Sequence, residues 1–262
     1  MTDPCQDGGP PGRFGWDAQG SITGSLPRFF AEDLSGEVVA LSASESRHAL
    51  GVLRLRAGAQ VEVFDGTGAL AAGTLEIAGR GRATVRVATR QAPQPRPAPI
   101  VTLGFAVPKG RRLDVLLEKA TELDAAVLAP VVFARSVAAP KWTAHVCNRW
   151  RAVCIAAAKQ SRSARLPEIV APQPLGRFLA SAGDGVRVLG DPAGASTVPE
   201  ALRVQPGAAV TILIGPEGGL NPAERDDAVA AGFVPVRLGR NVLRVETAGI
   251  AFLAAAAATR GT

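Results

Sequence analysis

From residue 100 to the end of the chain, apolar segments of strand length alternate with longer segments of helical periodicity. The strand-like segments are Ile100–Ala106, Val127–Phe133, Val186–Leu189, Val210–Ile214 and Val234–Leu238. The helix-like segments are Arg112–Leu123, His145–Lys159, Pro222–Ala231 and Glu246–Thr259. This alternation predicts an α/β domain with a parallel sheet that is covered on both faces. In such sheets a ligand binds at the carboxyl ends of the strands, in the loops that follow them.

The first part of the chain has a different pattern. Residues 1–25 contain six Gly and three Pro without periodicity, so we expect a disordered tail. Residues 26–92 carry short alternating segments such as Val61–Phe64, separated by turn residues, and predict a small β-domain. Closely spaced prolines predict a stiff linker at 93–98, and the larger domain then covers 99–262.

Composition narrows the function. The formal net charge is +6, and arginine supplies most of the 29 basic residues, which suits phosphate and base recognition. A genome rich in G and C would produce the same arginine excess. Three cysteines and two histidines are too few and too scattered for a disulfide framework or a histidine-rich metal centre. We expect a protein of the cytoplasm that takes no metal and does not enter a membrane, because neither a signal peptide nor a spanning segment is visible.

One glycine-rich loop has a specific context. Gly215–Gly219 directly follows the apolar segment Val210–Ile214, and its three glycines let backbone approach a ligand closely. It ends at Asn221–Glu224, where Asn at the N-cap, Pro at the first helical position and Glu at the third predict a helix start. Two further loops, 238–241 and 242–248, follow the next predicted strand. A P-loop and a dinucleotide-binding glycine motif are both missing, since the glycines after Asp65 fit a hairpin turn.

These motifs together resemble those of a known family. Gly215-Pro216-Glu217-Gly218-Gly219, Leu238-Gly239, Val242-Leu243-Arg244 and Glu246-Thr247-Ala248 closely resemble the signature of the ribosomal small-subunit RNA uracil-N3 methyltransferase (RsmE) family. Upstream segments match as well, including Leu26–Phe30, Val52–Leu55, Lys119–Leu123 and Lys159-Gln160-Ser161. The resemblance covers about residues 26–262. Ala156 and Ser163 depart from the family pattern, which leaves open which nearby arginine contacts RNA.

The resemblance implies both a fold and a partner. It implies a SPOUT-type methyltransferase domain whose parallel sheet is knotted as a trefoil, and a small N-terminal PUA-like β-barrel that binds RNA. It also implies a homodimer with the active site near the interface. The cofactor would be S-adenosylmethionine, and the substrate a specific uridine in the 16S ribosomal RNA of the small ribosomal subunit.

Three sets of residues are candidates for the site. The cofactor-binding candidates lie in the loops, where backbone amides and carbonyls can contact adenine and methionine: Leu189, Gly190, Gly215, Pro216, Glu217, Gly218, Gly219, Leu238, Gly239, Asn241, Val242, Leu243 and Arg244. The catalytic candidates are Glu217 and Glu246, as proton acceptors, and Arg244, which could hold the uracil anion or a phosphate. The RNA-binding candidates are Arg47, Arg54, Arg56, Arg135, Arg162 and Arg165.

Structural alternatives stay open for these residues. Glu217 could fix the loop by bonding nearby amides, Glu246 could be a favourable charge at a helix start, and Arg244 could belong to an ion pair. Other functions stay open too. One alternative is a methyltransferase of the same superfamily that acts on the ribose 2′-hydroxyl, and another is a non-catalytic RNA-binding protein.

Overall fold

The computed structural model describes residues 15–16, 22–23, 26–79, 81–136, 141–202 and 208–259. Two short strands, β1 (Gly15–Trp16) and β2 (Ile22–Thr23), form an antiparallel pair within the segment predicted as a tail. The rest of residues 1–25 lies outside the described residues, and the disorder of that segment stays a prediction.

The small domain is built on a five-stranded sheet with the order β3-β5-β6-β7-β4. Its strands are β3 (Arg28–Phe30), β4 (Val38–Ala40), β5 (Gln60–Phe64), β6 (Leu70–Ile77) and β7 (Ala83–Gln91). The pair β3 and β5 is parallel, and the other neighbours are antiparallel. A helical segment that the sequence did not predict, α1 (Ala43–Arg47) continued by a π-helical turn at His48–Val52, crosses between β4 and β5. Alternate residues such as Val61, Val63 and Leu75 fill the core.

The larger domain contains one parallel sheet with the order β10-β9-β8-β14-β12-β15-β13, and β11 also pairs with β9. The strands are β8 (Val101–Ala106), β9 (Val127–Val132), β10 (Glu168–Ile169), β11 (Gln173–Pro174), β12 (Val186–Gly190), β13 (Ser196–Thr197), β14 (Val210–Ile214) and β15 (Val234–Arg237). The helices are α2 (Arg111–Glu122), α3 (Ala144–Ser161), α4 (Leu175–Ser181), α5 (Val198–Ala201), α6 (Pro222–Ala230) and α7 (Val245–Ala258). Every predicted strand and helix after residue 100 is present, with ends that differ by at most two residues.

The packing follows from the sequence pattern. The five residues of β14 are all buried, as expected of a central strand covered on both faces. Helix α2 buries its apolar stripe, and α7, which consists largely of small residues, packs against it closely. A Cβ on Gly249 would lie 3.0 Å from Cδ1 of Leu116, so glycine at this position allows α7 to approach α2. No helix among the described residues has both the length and the apolar character needed to cross a bilayer.

The two domains pack directly on each other. Phe30 and Phe64 of the small domain form a buried cluster with Ala158 of α3. Beside this cluster, Nζ of Lys159 donates to Oε1 of Glu45 at 2.8 Å. The predicted linker is bound to the larger domain, because the guanidinium group of Arg96 donates to Asp124, which follows α2.

Candidate functional site

A cleft lies at the carboxyl ends of β14, β12 and β15, which are consecutive neighbours in the sheet. Its cavity volume is about 220 Å³. The loops that follow the three strands form its walls, and the start of α7 closes one side. The floor is apolar and consists of the buried side chains of Ile214, Val236 and Phe252. This is the edge of the sheet at which the strand order predicts a ligand.

The loop after β14 depends on its glycines in two different ways. A Cβ on Gly215 would lie 2.2 Å from Cδ1 of Leu220, so the packing of Leu220 over the strand end requires glycine. Gly219 has a φ of +68°, which side chains of L-residues rarely adopt, and it lines the cleft with open space at its Cβ position. Gly218 has neither property, and its carbonyl oxygen accepts a 2.8 Å hydrogen bond from Arg135 instead.

The end of this loop is fixed by a capping box. The side chain of Asn221 accepts from the backbone N–H of Glu224 at 2.8 Å, and the Glu224 carboxylate accepts from the backbone N–H of Asn221 at 2.9 Å. Glu224 also accepts from the backbone N–H of Ala134 at 2.6 Å. The loop after β9 is thereby joined to the glycine-rich loop.

The loop after β12 places a carboxylate in the cleft. A Cβ on Gly190, the last residue of β12, would lie 2.7 Å from Cδ1 of Ile214 and 3.1 Å from Cε2 of Phe252, so the present packing of these two side chains favours glycine at the strand end. The next residue, Asp191, accepts from the backbone N–H of Ala193 through Oδ1 and from Nε of Arg225 through Oδ2, both at 2.8 Å.

The loop after β15 leads over the cleft into α7. Leu238, Gly239 and Asn241 line the cleft, and Gly239 has open space at its Cβ position. Val242 and Leu243 follow at the mouth, where they are 75% and 36% exposed. Apolar side chains with this exposure can contact a substrate or a second protein molecule.

Comparison with known proteins identifies the chain. The RNA methyltransferase domain family matches residues 95–257, and the RNA methyltransferase PUA domain family matches residues 41–88. The ribosomal RNA small subunit methyltransferase E of Mycobacterium bovis is 38% identical over 239 residues, which are 87% of this chain and 89% of that protein. This chain belongs to the ribosomal RNA small subunit methyltransferase E family.

Solved structures of similar proteins agree with this assignment. The protein of that name from Neisseria gonorrhoeae, bound to S-adenosyl methionine, is 27% identical, with a TM-score of 0.79 over 88% of this chain and 96% of that one. A putative methyltransferase from Legionella pneumophila in complex with the same cofactor is also 27% identical. Its TM-score is 0.80 over 89% of this chain and 98% of that one. Methyltransferases of this family use S-adenosylmethionine as their cofactor.

The residues of this methyltransferase fit that cofactor. The apolar floor can cover an adenine ring, and the open Cβ positions of Gly219 and Gly239 leave room where a side chain would fill the cleft. The carboxylates of Asp191 and Glu217 and the guanidinium group of Arg225 add polar groups at the walls. A mostly apolar pocket with a few convergent polar groups is the usual form of a cofactor site.

The cofactor-binding residues predicted from the sequence nearly all line this cleft. The lining includes Leu189, Gly190, Gly215, Pro216, Glu217, Gly219, Leu238, Gly239, Asn241, Val242 and Leu243. Gly218 and Arg244 lie outside it, and their role in cofactor binding stays a prediction. The prediction missed Asp191 and Arg225, although a carboxylate directly after a predicted strand is a signal that could have indicated Asp191.

The three predicted catalytic residues lie in different environments. Glu217 lines the cleft with its side chain 44% exposed, and its Oε1 accepts a 2.8 Å bond from Nη1 of Arg112. Arg244 is the exposed N-cap residue of α7. Glu246 is only 8% exposed, outside the lining, and its Oε2 has no hydrogen-bond partner among the described residues.

Five of the six predicted RNA-binding arginines divide into two groups. Arg47, Arg54 and Arg56 are exposed on the small domain, and their guanidinium groups have no hydrogen-bond partner within the described part of the chain. Arg162 and Arg165 are instead used in the contact between domains. Arg162 donates to Glu62 and Arg165 to the carbonyl oxygen of Gln94.

Arg135 lies at the rim of the cleft, because its guanidinium group binds the carbonyl oxygen of Gly218. Within the described ranges, no group of three or more His, Cys, Asp or Glu side chains could hold a metal ion.

Proposed function

We propose that this enzyme transfers a methyl group from S-adenosylmethionine to N3 of a specific uridine in the 16S ribosomal RNA of the small subunit. The observation that carries the proposal is the glycine-lined cleft, present in a chain 38% identical to a protein named ribosomal RNA small subunit methyltransferase E. The place of action would be the cytoplasm, where ribosomal subunits are assembled.

The chemistry requires removal of a proton as well as close placement. N3 of uracil is a poor nucleophile while it is protonated, so a base must accept that proton when the nitrogen approaches the methyl group to roughly 3–3.5 Å. The cofactor supplies a methyl group that its sulfonium already activates. The protein therefore supplies mainly position and a proton acceptor.

Glu217 is the acceptor that we propose, because it lines the cleft and is partly open to solvent. Nη1 of Arg112 donates to Oε1 of Glu217 at 2.8 Å and orients this carboxylate. We assign Arg244 to the uracil oxygens, whose negative charge grows as N3 loses its proton. Glu246 is buried in the first turn of α7, and we propose that its carboxylate positions the start of that helix.

The small domain would hold the RNA. Arg47 directly precedes the π-helical turn, Arg54 and Arg56 follow it, and Arg54 has a positive φ of 52°. Left-handed backbone at a residue other than glycine costs about 1 kcal/mol or more and persists where the surrounding structure enforces it. The exposed side chains of Val52 and Leu53 lie between the arginines. Such a surface can bind phosphates through the arginines and unstacked bases through the apolar groups.

The assembly is a further part of the proposal. We propose that two copies form a homodimer with the cleft near the interface, that the parallel sheet of the larger domain contains a trefoil knot, and that the small domain is a PUA-like barrel. The exposed apolar side chains of Val242 and Leu243 beside the cleft support a dimer interface there, because a second copy would remove them from water. Light scattering at several concentrations tests the dimer, since a monomeric species at all of them contradicts it.

One assay tests the activity. Labelled methyl transfer is measured with naked 16S RNA, isolated small subunits and whole ribosomes, and the product is digested to nucleosides and identified by mass spectrometry. We expect N3-methyluridine. A 2′-O-methylated nucleoside would identify the ribose as the target, and RNA binding without any transfer would identify a non-catalytic binding protein.

A further inference from the structure

The carboxylate of Asp191 is held in place by several bonds. Its Oδ1 accepts from the backbone N–H of Ala193, and its Oδ2 accepts from Nε of Arg225. Its own backbone is fixed as well, since its N–H donates to the carbonyl oxygen of Val236 at 3.0 Å. The turn is tightened by Gly194, where a Cβ would lie 2.7 Å from backbone atoms of Pro235. Asp191 is thus a rigid acceptor, with its side chain 14% exposed.

The position of this acceptor within the cleft is central. Strand β12, which Asp191 follows, lies between β14 and β15 in the sheet. The carboxylate therefore stands between the glycine-rich loop and the loop that begins at Leu238. Glu217, the other carboxylate of the lining, lies on the far side of the β14 loop, because it pairs with Arg112 of α2. A ligand that contacts all three loops must place its middle portion at Asp191.

The charge balance indicates what Asp191 can bind. An ionised carboxylate only accepts hydrogen bonds, and its two oxygens can take about four, of which two are used by Ala193 and Arg225. The remaining positions require donors on the ligand. Because the guanidinium group of Arg225 already balances the negative charge, a neutral pair of hydroxyl donors fits better than a second cation.

We propose that Asp191 binds the ribose hydroxyls of S-adenosylmethionine and that Arg225 orients the carboxylate for this contact. The inference rests on the proposed function, since it names the part of the cofactor that one residue of the cleft recognises. The ribose is the central portion of the cofactor, between adenine and methionine, and its two adjacent hydroxyls are neutral donors. Asp191 is on this basis a specificity-determining residue of the cofactor site.

Calorimetry with S-adenosylhomocysteine, the stable demethylated product, tests the proposal without turnover. The wild type and the Asp191→Ala variant are each titrated with this compound and with its 2′,3′-dideoxy analogue. We expect the substitution alone to weaken binding by about 10- to 100-fold, and the dideoxy change alone to weaken it similarly, since each removes hydrogen bonds to a charged group. Both changes together should weaken binding no further than either alone, within about twofold.

The controls separate the possible failures. Asp226→Ala removes an exposed carboxylate from the same region of α6 and should leave the affinity for both compounds unchanged. If the fold-losses of affinity caused by Asp191→Ala and by the dideoxy change multiply when the two are combined, they do not act on the same contact, and the ribose proposal is wrong. The same titrations use an analogue of S-adenosylhomocysteine that lacks the α-amino group. If Asp191→Ala causes no further loss of affinity for that analogue, Asp191 contacts the methionine portion instead of the ribose. The wild-type titration with the dideoxy compound requires no mutation, so misfolding cannot imitate the result. If the wild type binds neither compound, the proposed function itself fails.

Discussion

Nη1 of Arg112, in the first turn of α2, donates to Oε1 of Glu217 at 2.8 Å and so joins the helix after β8 to the glycine-rich loop after β14. Both side chains are partly exposed, 35% and 44%. An ion pair with this exposure contributes little to the free energy of unfolding. Its consequence is geometric, because it fixes the direction of a carboxylate at the wall of the cleft.

The first prediction concerns this pair. Glu217→Gln should lower kcat for methyl transfer by about 10²- to 10⁴-fold, since the amide cannot accept the N3 proton. Affinity for S-adenosylhomocysteine should change little. Arg112→Met keeps the carboxylate and should lower kcat much less. Steady-state kinetics and calorimetry on both variants measure the difference. Equal losses of kcat in the two variants would show that the carboxylate only fixes the loop.

The second prediction compares two neighbouring glycines. Gly219→Ala should weaken cofactor binding by about tenfold, because its φ of +68° strains any L-residue by about 1–2 kcal/mol and its side chain enters the cleft. Gly218→Ala is the matched control, since its Cβ would meet the side chain of Arg135 at an ordinary 3.6 Å outside the cleft lining, so any cofactor contact that Gly218 makes through its backbone should survive the added methyl group. Calorimetry measures both. Equal weakening by the two substitutions would contradict the assignment of Gly219 to the cofactor wall.

The sequence predicts the ligand-binding edge well because its signals there are local. An apolar run, three glycines and the cap at Asn221 all lie within residues 210–224, and the strand, loop and helix form as expected. Helix α4 was missed because it has only seven residues, begins next to Pro174 and includes Gly176. The position of α4 is determined by tertiary packing. The ring of its Phe178 packs against Gly104 of β8, where a Cβ would lie 2.3 Å from the ring.

Contacts between distant segments could not be predicted in the same way. The strand order β14-β12-β15 is not sequential, and only this order brings Asp191 next to Arg225. Arg162 and Arg165 stand in a basic segment that suggests RNA, yet their guanidinium groups bind Glu62 and Gln94 of other segments. A single sequence contains no local sign of such pairings.

The third prediction uses the thiol of Cys154 in α3. Burial raises the pKa of this thiol from 9.0 to about 11, an effect that a hydrogen bond with Thr121 partly opposes. A raised native pKa gives stability that is complete below the unfolded pKa and disappears as the pH rises through the native one. The contribution that disappears is roughly 2–3 kcal/mol.

Urea unfolding of the wild type and of Cys154→Ala tests this. The free energy of unfolding of the wild type minus that of the variant should shrink as the pH rises from about 9 towards 11, because only the wild type carries the Cys154 thiol, whereas Cys5 and Cys147 are present in both proteins. Lysine titration affects both proteins and cancels in the difference. A difference that stays constant over this range would show that the thiol ionises equally in the native and unfolded chains.

The fourth prediction concerns the arginines of the small domain. Arg47→Gln, Arg54→Gln and Arg56→Gln should each weaken RNA binding. Each should also reduce the slope of log affinity against log salt concentration by about 0.7–0.9 for every phosphate that the arginine neutralises. Cofactor affinity should stay unchanged, because these residues lie outside the cleft lining.

Arg86→Gln is the control for these arginines. This residue is exposed on the same domain, but its Nε already donates to Oε1 of Glu76 at 2.6 Å. Filter binding at several salt concentrations compares the four variants. If Arg86→Gln changes the slope as much as the others, general charge rather than this surface determines RNA affinity.

The last prediction concerns Glu62, whose Oε2 accepts from both Arg28 and Arg162 and so joins the two domains. The Glu62 and Arg28 side chains are only 15% and 6% exposed. Glu62→Gln leaves two neighbouring guanidinium groups without their shared anion, and should lower the free energy of unfolding by about 2–4 kcal/mol. Cofactor affinity should be kept, because the cleft is lined by residues 189–252, whereas KM for RNA should rise as the small domain loses its fixed orientation.

Glu76→Gln, in the exposed pair with Arg86, is the matched control and should lower the free energy of unfolding by less than about 1 kcal/mol. Thermal unfolding, calorimetry and kinetics against RNA concentration measure the three effects. An unchanged KM for RNA in a clearly destabilised Glu62→Gln protein would show that the orientation of the small domain does not govern RNA placement.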